Sequence, residues 1–108
     1  MFDIRFSPQS ISDLGEIKCY LADHLCNPKA AQDLISLIFE KIHFLSSFPL
    51  TGAQVQSELS FLKGYRFLII KNYLVFYRTE TNIISVVRIL YAKRDYLTLL
   101  ALDKNKNE

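Results

Sequence analysis

The amino-acid sequence predicts a small α+β domain, in which an N-terminal helical hairpin packs on one face of an antiparallel sheet of about four strands. Two helix-start signals, Ser7-Pro8 and Asn27-Pro28, each precede a stripe of apolar residues at helical spacing. The second half of the chain instead holds three runs rich in Ile, Val, Phe and Tyr, separated by short polar turns. The order is β-α-α-β-β-β. With 108 residues the chain forms one domain, which we place at residues 1–103, with a frayed tail at 104–108.

The first strand and the first helix are predicted from the spacing of apolar residues. The segment from Phe2 to Phe6 alternates apolar and polar residues, which is the pattern of a half-buried strand. Ser7 is a favourable N-cap, and proline suits the first helical position. We expect the helix to continue to about Cys26, with a core stripe made of Ile11, Leu14, Ile17, Leu21 and Leu25.

The second helix begins with the same signal at Asn27-Pro28 and ends before Phe48-Pro49-Leu50-Thr51-Gly52, which contains both common helix breakers. Two helices of roughly five turns, joined by so short a break, fold back on each other as an antiparallel hairpin. The apolar stripe of the second helix consists of Ala31, Leu34, Ile38, Ile42 and Leu45.

The strands of the second half follow a polar connector at residues 53–64. Lys71-Asn72 and Glu80-Thr81-Asn82 are typical of tight turns, so the strands beside them form an antiparallel meander. Because the helices cover one face of this sheet, we expect the other face to be free. A last short helix or strand is predicted at Asp95–Leu102. The strands of the meander are Tyr65–Ile70, Tyr73–Thr79 and Ile83–Tyr91.

The net charge of +2 hides an uneven distribution along the chain. Residues 1–60 carry four Lys and Arg against seven Asp and Glu, whereas residues 61–108 carry nine against four. The basic half favours an anionic partner, which is either a nucleic acid or an acidic protein segment. The small total excludes a histone-like polycation.

Neither a membrane segment nor a metal site is expected from the sequence. The most apolar windows are broken by polar residues and the N-terminus lacks the apolar core of a signal peptide, so we expect a cytoplasmic protein without membrane contact. Cys19 and Cys26 would lie on one helix face about 10.5 Å apart, too far for a disulfide. Because His24 projects away from Cys19, we expect no metal there. No cofactor and no small-molecule substrate is expected either.

Arginines and tyrosines interleave along the last three strands. Period two places Arg88 and Arg94 on one face if the last strand runs that far. Arginine binds phosphates bidentately and tyrosine stacks on bases, which favours an anion-binding face. The alternative, equally open, is that the tyrosines are cross-strand pairs and the arginines are solvated strand ends. The arginines concerned are Arg66, Arg78, Arg88 and Arg94.

Four segments in this order resemble the RelE/ParE superfamily of toxins from type II toxin–antitoxin modules. The resemblance covers nearly the whole chain. It implies a growth-arresting toxin, of a class associated with plasmid stabilisation, that is neutralised by a cognate antitoxin. The antitoxin would contribute an amphipathic acidic tail that folds onto the apolar seam and the basic sheet edge. The segments are Asn27-Pro28-x-Ala30-Ala31, Phe48-Pro49-x-x-Gly52, Asn72-Tyr73-Leu74-Val75-Phe76-Tyr77-Arg78 and Arg88-Ile89-Leu90-Tyr91-Ala92-Lys93-Arg94-Asp95.

RelE-like members of this superfamily resemble endonucleases that cut mRNA on the ribosome, using cationic side chains to stabilise the scissile phosphate. The resemblance implies Arg66 and Arg94 as catalytic residues in this chain, together with Tyr91. Leu68 and Leu74 stand where that branch carries two further cations. Aliphatic side chains stabilise a phosphorane poorly, so these two leucines weaken the nuclease interpretation.

ParE-like members resemble inhibitors of DNA gyrase that perform no chemistry. Phe76-Tyr77-Arg78 and Arg88-Ile89-Leu90-Tyr91 resemble their strands, although Tyr91 replaces the usual histidine. The sequence therefore favours a gyrase inhibitor, not an enzyme, over a ribosome-dependent mRNA endonuclease. A third hypothesis is a non-toxic module that binds single-stranded nucleic acid with an affinity that falls steeply with salt. The target-binding or nucleic-acid-binding residues implied are Arg78, Arg88, Lys93 and Tyr96.

Overall fold

A computed structural model describes residues 1–55, 64–92 and 100 of the chain. Within these ranges the α+β class and the order of the long elements agree with the prediction from the sequence. The predicted element at Asp95–Leu102, apart from Leu100, lies outside the described residues. The elements are β1 (Asp3–Phe6), α1 (Pro8–Cys19), a π-helical segment (Tyr20–His24), α2 (Pro28–Phe44), β2 (Ala53–Gln54), β3 (Tyr65–Ile70), β4 (Tyr73–Glu80) and β5 (Ile83–Tyr91).

The strands form one mixed sheet in the order β1-β5-β4-β3-β2. β3, β4 and β5 form the predicted antiparallel meander, and β2, which lies in the predicted connector, adds a short antiparallel strand at its edge. β1 pairs with β5 in parallel, from Asp3 opposite Ile83 to Phe6 opposite Val86. The structure thus differs from the prediction of about four antiparallel strands. Alternating apolar residues indicate that a strand exists, but they do not specify its neighbour.

Both helices begin as the sequence predicts. The Ser7 Oγ accepts the Ser10 N–H at 3.0 Å, and the Asn27 Oδ1 accepts the Ala30 N–H at 3.1 Å. A proline occupies the first turn of each helix, where its missing N–H costs no helical hydrogen bond. In the described part of the chain, neither helix is long and apolar enough to cross a bilayer.

The first helix ends earlier than predicted, and its buried face differs in part. α1 stops at Cys19, and the chain continues through the π-helical segment to a reversal where Cys26 adopts a φ of 51°. Two members of the predicted stripe, Ile11 and Leu25, are 58% and 53% exposed. The other three members agree with the prediction, since Ile17 is buried and Leu14 and Leu21 pack half-buried against the core. The remaining buried positions of α1, Ser10 and Asp13, were not predicted.

Each face of the sheet carries an apolar cluster. The hairpin covers the helix face (Ile70, Val75, Val86 and Ile89 among its strand residues), where Ile38 and Ile42 of α2 join the cluster. On the far face, Phe76 is fully buried and Leu100 is 3% exposed. The expectation of a free second face was therefore wrong, because strand residues pointing to that side are themselves apolar and need cover. The far face includes Tyr65, Phe67, Ile69, Leu74, Phe76, Arg78, Val87, Arg88 and Leu90.

Candidate functional site

Arg66 holds the turn between α2 and β2. Its Nη1 donates to the Gly52 carbonyl oxygen at 2.7 Å. Tyr77, which lies opposite Arg66 on β4, donates its hydroxyl to the Pro49 carbonyl at 2.9 Å and accepts the Gly52 N–H at 2.8 Å. Burial, the largest effect, raises the pKa of Tyr77, whereas the hydrogen bond from the Gly52 N–H and the charge of Arg66 lower it. In this structure the guanidinium of Arg66 thus anchors a turn.

The same turn explains the glycine of the Phe48-Pro49-x-x-Gly52 motif. A Cβ added to Gly52 would lie 2.6 Å from the Tyr77 hydroxyl oxygen and 2.8 Å from the Phe67 carbonyl oxygen. The backbone at Gly52 approaches β3 and β4 so closely that no side chain fits there.

Arg88 forms an ion pair inside the fold. Its Nε and Nη2 donate to the two carboxylate oxygens of Asp13 in α1, at 2.8 and 2.9 Å, and the Ile89 N–H donates to the same carboxylate at 2.9 Å. Because β5 extends past Val86, the last residue paired with β1, α1 packs beside the edge that β1 leaves uncovered. The side chains of Arg88 and Asp13 are 12% and 6% exposed, so the arginine charge is compensated within the protein.

Arg78 has a different environment, on the far face of the sheet. Its Nη2 lies 3.0 Å from the Glu80 Oε1, and its side chain is 44% exposed. A surface pair of this kind contributes about 0–1 kcal/mol to stability and leaves the guanidinium accessible. Among the predicted site residues that the structure describes, Arg78 is the exposed arginine, whereas Arg66 and Arg88 are intermediate in exposure.

Tyr91 lies at the end of β5, on the same side of the sheet as the hairpin. Its ring meets that of Tyr73 edge to face, with the centroids 5.7 Å apart. Tyr91 is opposite Tyr73 and Arg66 is opposite Tyr77, four residues further along β4, so about 13 Å of strand separates them. The predicted catalytic pair Arg66 and Tyr91 is therefore not brought together. Three further predicted site residues lie outside the described residues: Lys93, Arg94 and Tyr96.

A cleft of about 1130 Å³ opens between the hairpin and the end of the sheet. Its wall combines apolar helix residues with Tyr20, Tyr73 and Tyr91. Burial, then the neighbouring phenols of Tyr91 and Tyr20, raise the pKa of Tyr73. This cleft was not predicted from the sequence. Its lining comes from both helices and from strands β4 and β5, and no local sequence pattern shows that these segments meet.

A smaller groove of about 360 Å³ lies between α1 and α2 and beside β1. Ile11 and Phe39 line it and are 58% and 45% exposed. A Cβ added to Gly15 would meet no atom within 4 Å, so the groove is open above this glycine. The one charged residue among those that line it is Lys18.

Sequence reasoning also missed Asp13. The signal was present, since Ser10, Asp13 and Ile17 share one face at helical spacing, but the more apolar residues beside them suggested a different face. Cys19 and Cys26 are free and exposed. Within residues 1–55 and 64–92, no three His, Cys, Asp or Glu side chains are grouped so that they could hold a metal ion.

Comparisons with known proteins agree with this fold. Residues 4–96 match the family model of the ParE toxin of a type II toxin–antitoxin system, parDE. The chain is similar to a structure from the chromosomal ParDE toxin–antitoxin system of P. aeruginosa, with a TM-score of 0.71 and 22% identity, covering 86% of this chain and 98% of that one. No curated protein matches the sequence.

Two further solved structures are similar at lower scores. One is the RelBE2 toxin–antitoxin complex of Mycobacterium tuberculosis, with a TM-score of 0.57 and 19% identity over 83% of this chain and 96% of that one. The other is the RelB–RelE complex of Methanococcus jannaschii, with a TM-score of 0.54 and 19% identity over 86% and 95%. At such identities these likenesses establish a shared fold.

Proposed function

We propose, because the chain belongs to the ParE toxin family of type II toxin–antitoxin systems, that it arrests growth by inhibiting DNA gyrase and is neutralised by a cognate antitoxin. On this proposal the protein acts in the cytoplasm by binding, and it catalyses no reaction. The similarity in fold to the P. aeruginosa ParDE structure supports this branch of the superfamily over the RelE-like branch.

The observation that carries the proposal is the internal use of Arg66. RNA cleavage needs cations placed where charge develops on the scissile phosphate. Arg66, which the RelE-like pattern would place at that phosphate, instead donates to the Gly52 carbonyl of a turn. Leu68 and Leu74, which replace two cations of the RelE-like pattern, pack in the apolar clusters. These residues support a protein that binds its target over one that cleaves RNA.

An antitoxin has a suitable docking surface in the groove between α1 and α2. Exposed apolar side chains such as Ile11 and Phe39 are a liability for a free protein, and they are typical of a surface that a partner covers. The apolar face of an amphipathic helix fits such a groove, with an acidic residue placed beside Lys18. The solved relatives described as toxin–antitoxin complexes support a partner of this kind.

Growth and gyrase assays test the proposal directly. Expression of the full chain alone is expected to arrest growth and induce the DNA-damage response, and co-expression of the product of the adjacent reading frame is expected to relieve the arrest. The purified chain is expected to block supercoiling of plasmid DNA by gyrase. Unimpaired growth at confirmed soluble expression would contradict toxicity, and steep salt-dependent binding to single-stranded RNA without arrest would support the nucleic-acid-binding module instead.

The variant Arg94→Ala separates the two toxic mechanisms. Gyrase inhibition requires no transition-state stabilisation from Arg94, so we expect the variant to arrest growth and block supercoiling as the parent chain does. On the RelE-like alternative, loss of this cation lowers RNA cleavage on the order of a hundredfold or more. The second readout is the mapping of 5′ ends in mRNA from arrested cells. Cuts in translated mRNA that disappear with Arg94→Ala would overturn the gyrase proposal.

A further inference from the structure

The cleft between the hairpin and the end of the sheet differs in charge from the basic half of the sequence. Its carboxylates come from the acidic helices, whereas its single basic lining residue among the described residues is Lys71, in the turn between β3 and β4. The acidic lining residues are Asp13, Glu16, Asp33 and Glu40.

Two of these carboxylates are already paired. Asp13 binds Arg88, and Asp33 lies 3.0 Å from the Lys29 Nζ. Glu16 of α1 and Glu40 of α2 are exposed and form no ion pair with any described residue. Two unpaired carboxylates therefore line the cleft, one from each helix of the hairpin.

Tyrosine side chains form an aromatic part of the cleft lining. Tyr20, Tyr73 and Tyr91 all line it, and Tyr91 is 39% exposed, so part of its ring is accessible. The face of a tyrosine ring attracts Lys and Arg side chains, and nearby carboxylates strengthen the attraction. The lining also includes apolar side chains, among them Leu25, which is 53% exposed, and Leu34. This combination is complementary to a chain that carries both cationic and apolar side chains.

We propose that this cleft binds a basic amphipathic segment of the antitoxin, with Lys or Arg side chains at Glu16, Glu40 and the tyrosines, and apolar side chains on Leu25 and Leu34. The inference rests on the proposed antitoxin partner. At about 1130 Å³ the cleft exceeds the size of usual small-molecule sites, so it accommodates a peptide segment. The segment proposed for this cleft is basic, in contrast to the acidic residue expected beside Lys18 in the groove between α1 and α2.

Charge-neutral variants of the toxin test the proposal on the complex. Glu16→Gln and Glu40→Gln keep the side-chain shape and lie at exposed positions, so both variants are expected to fold. Each is expected to weaken antitoxin binding about threefold, and both together about tenfold with a shallower salt dependence. The matched control is Asp3→Asn, which removes an exposed carboxylate at the start of β1, opposite Ile83 and far from the end of β5. It is expected to leave affinity unchanged.

Synthetic peptides test the cleft without an antitoxin. An amphipathic peptide of Leu and Arg is expected to bind the full chain, whereas a peptide with Glu in place of every Arg is not. Tyrosine emission reports occupancy, because the chain has no tryptophan and three of its six tyrosines line the cleft. The two glutamine substitutions are expected to weaken binding of the Arg peptide, and Asp3→Asn is not. Equal binding of both peptides would overturn the proposal.

The outcomes distinguish this inference from the proposed function. If the chain arrests growth and the Glu16→Gln/Glu40→Gln variant binds antitoxin as tightly as the parent chain, the cleft proposal is wrong and the toxin assignment stands. If no antitoxin complex forms, the proposed function is contradicted, and so is the antitoxin as occupant. Binding of the Arg peptide would then show a cleft that recognises cations in another partner.

Discussion

Tyr77 shows how one side chain of β4 acts on a distant part of the chain. Its buried hydroxyl bonds to two backbone groups of the turn that ends at Gly52, 25 residues earlier in sequence. Both backbone groups lose water when the protein folds, so the hydroxyl satisfies a donor and an acceptor at once. Tyr77 and Gly52 depend on each other, because the hydroxyl occupies the space that a side chain at Gly52 would need.

Replacement Tyr77→Phe is expected to lower the free energy of unfolding by about 1–3 kcal/mol, since it leaves the Gly52 N–H without its partner. Urea denaturation followed by circular dichroism measures this change. The control is Tyr65→Phe, at a residue with no hydrogen bond from its hydroxyl to any described residue, where a change within about 0.5 kcal/mol is expected. Similar stability of the two variants would show that the Tyr77 hydrogen bonds are unimportant.

Because of Tyr77, the free energy of unfolding is expected to decrease at alkaline pH. Burial raises its pKa above the ordinary value of 10.0, so the folded protein retains a proton that the unfolded chain loses first. The stabilisation is therefore complete below pH 10 and is lost as pH rises through the folded-state pKa. Tyr77→Phe is expected to flatten this alkaline decline, and Tyr73, whose pKa is raised in the same direction, contributes to the slope that remains.

The contact between α1 and β5 depends on an ion pair between elements rather than on apolar packing alone. Asp13 accepts hydrogen bonds from the Arg88 guanidinium and the Ile89 backbone, at the edge of β5 that β1 leaves unpaired. The carboxylate thus takes a place that a neighbouring strand fills elsewhere in the sheet. Arg88, which the resemblance implied as a target-binding residue, also has this structural role.

Replacement Asp13→Asn is expected to destabilise the protein by about 3–5 kcal/mol, because it removes the Asp13 charge from a nearly buried ion pair with Arg88. Thermal and urea unfolding measure the loss. The control is Asp33→Asn, whose partner Lys29 is on the surface, with an expected cost of about 0.5 kcal/mol or less. The double variant Asp13→Leu/Arg88→Met is expected to recover only part of the stability, because the buried Ile89 N–H then loses its acceptor. A loss for Asp13→Asn no larger than for Asp33→Asn would contradict this interpretation.

The acidic first half and the basic second half of the chain pack against each other in the folded molecule, so acidic and basic side chains of the two halves come into contact. Two arginines of the basic half are used internally, by a turn carbonyl and by an acid of the first helix. The helices in turn contribute acidic residues to a cleft that the sheet completes. Among the predicted site residues that the structure describes, Arg78 on the far face is left as the accessible cation. Target binding by the whole molecule is therefore expected to depend on that face.

On the proposed gyrase function, replacement Arg78→Ala is expected to raise the concentration of chain needed for half-inhibition of gyrase about five- to thirtyfold, because one proposed charged contact with the target is lost. Stability is expected to change by less than about 1 kcal/mol, because the pair with Glu80 is on the surface. The control is Arg5→Ala, another exposed arginine, in the edge strand β1, with no expected effect on inhibition. Equal potency of both variants would contradict a role of Arg78 in target binding.

Local residue chemistry was sufficient to predict many structural elements of this protein from its sequence. The N-caps at Ser7 and Asn27 and the two tight turns of the meander each depend on residues within a few positions of one another. The order of the elements and the four ordered segments led to the toxin superfamily, and the family match to ParE toxins confirms that interpretation.

Tertiary structure alone decided which distant residues meet. β1 and β5 become parallel neighbours, Leu100 covers the far face, and Asp13 pairs with Arg88, 75 residues further along the chain. Periodicity tells which side of an element is apolar, but not what lies against it, since that depends on how all elements pack together. For this reason the sequence indicated a basic, target-facing half, whereas the fold determined which arginine is accessible and where an acidic cleft forms.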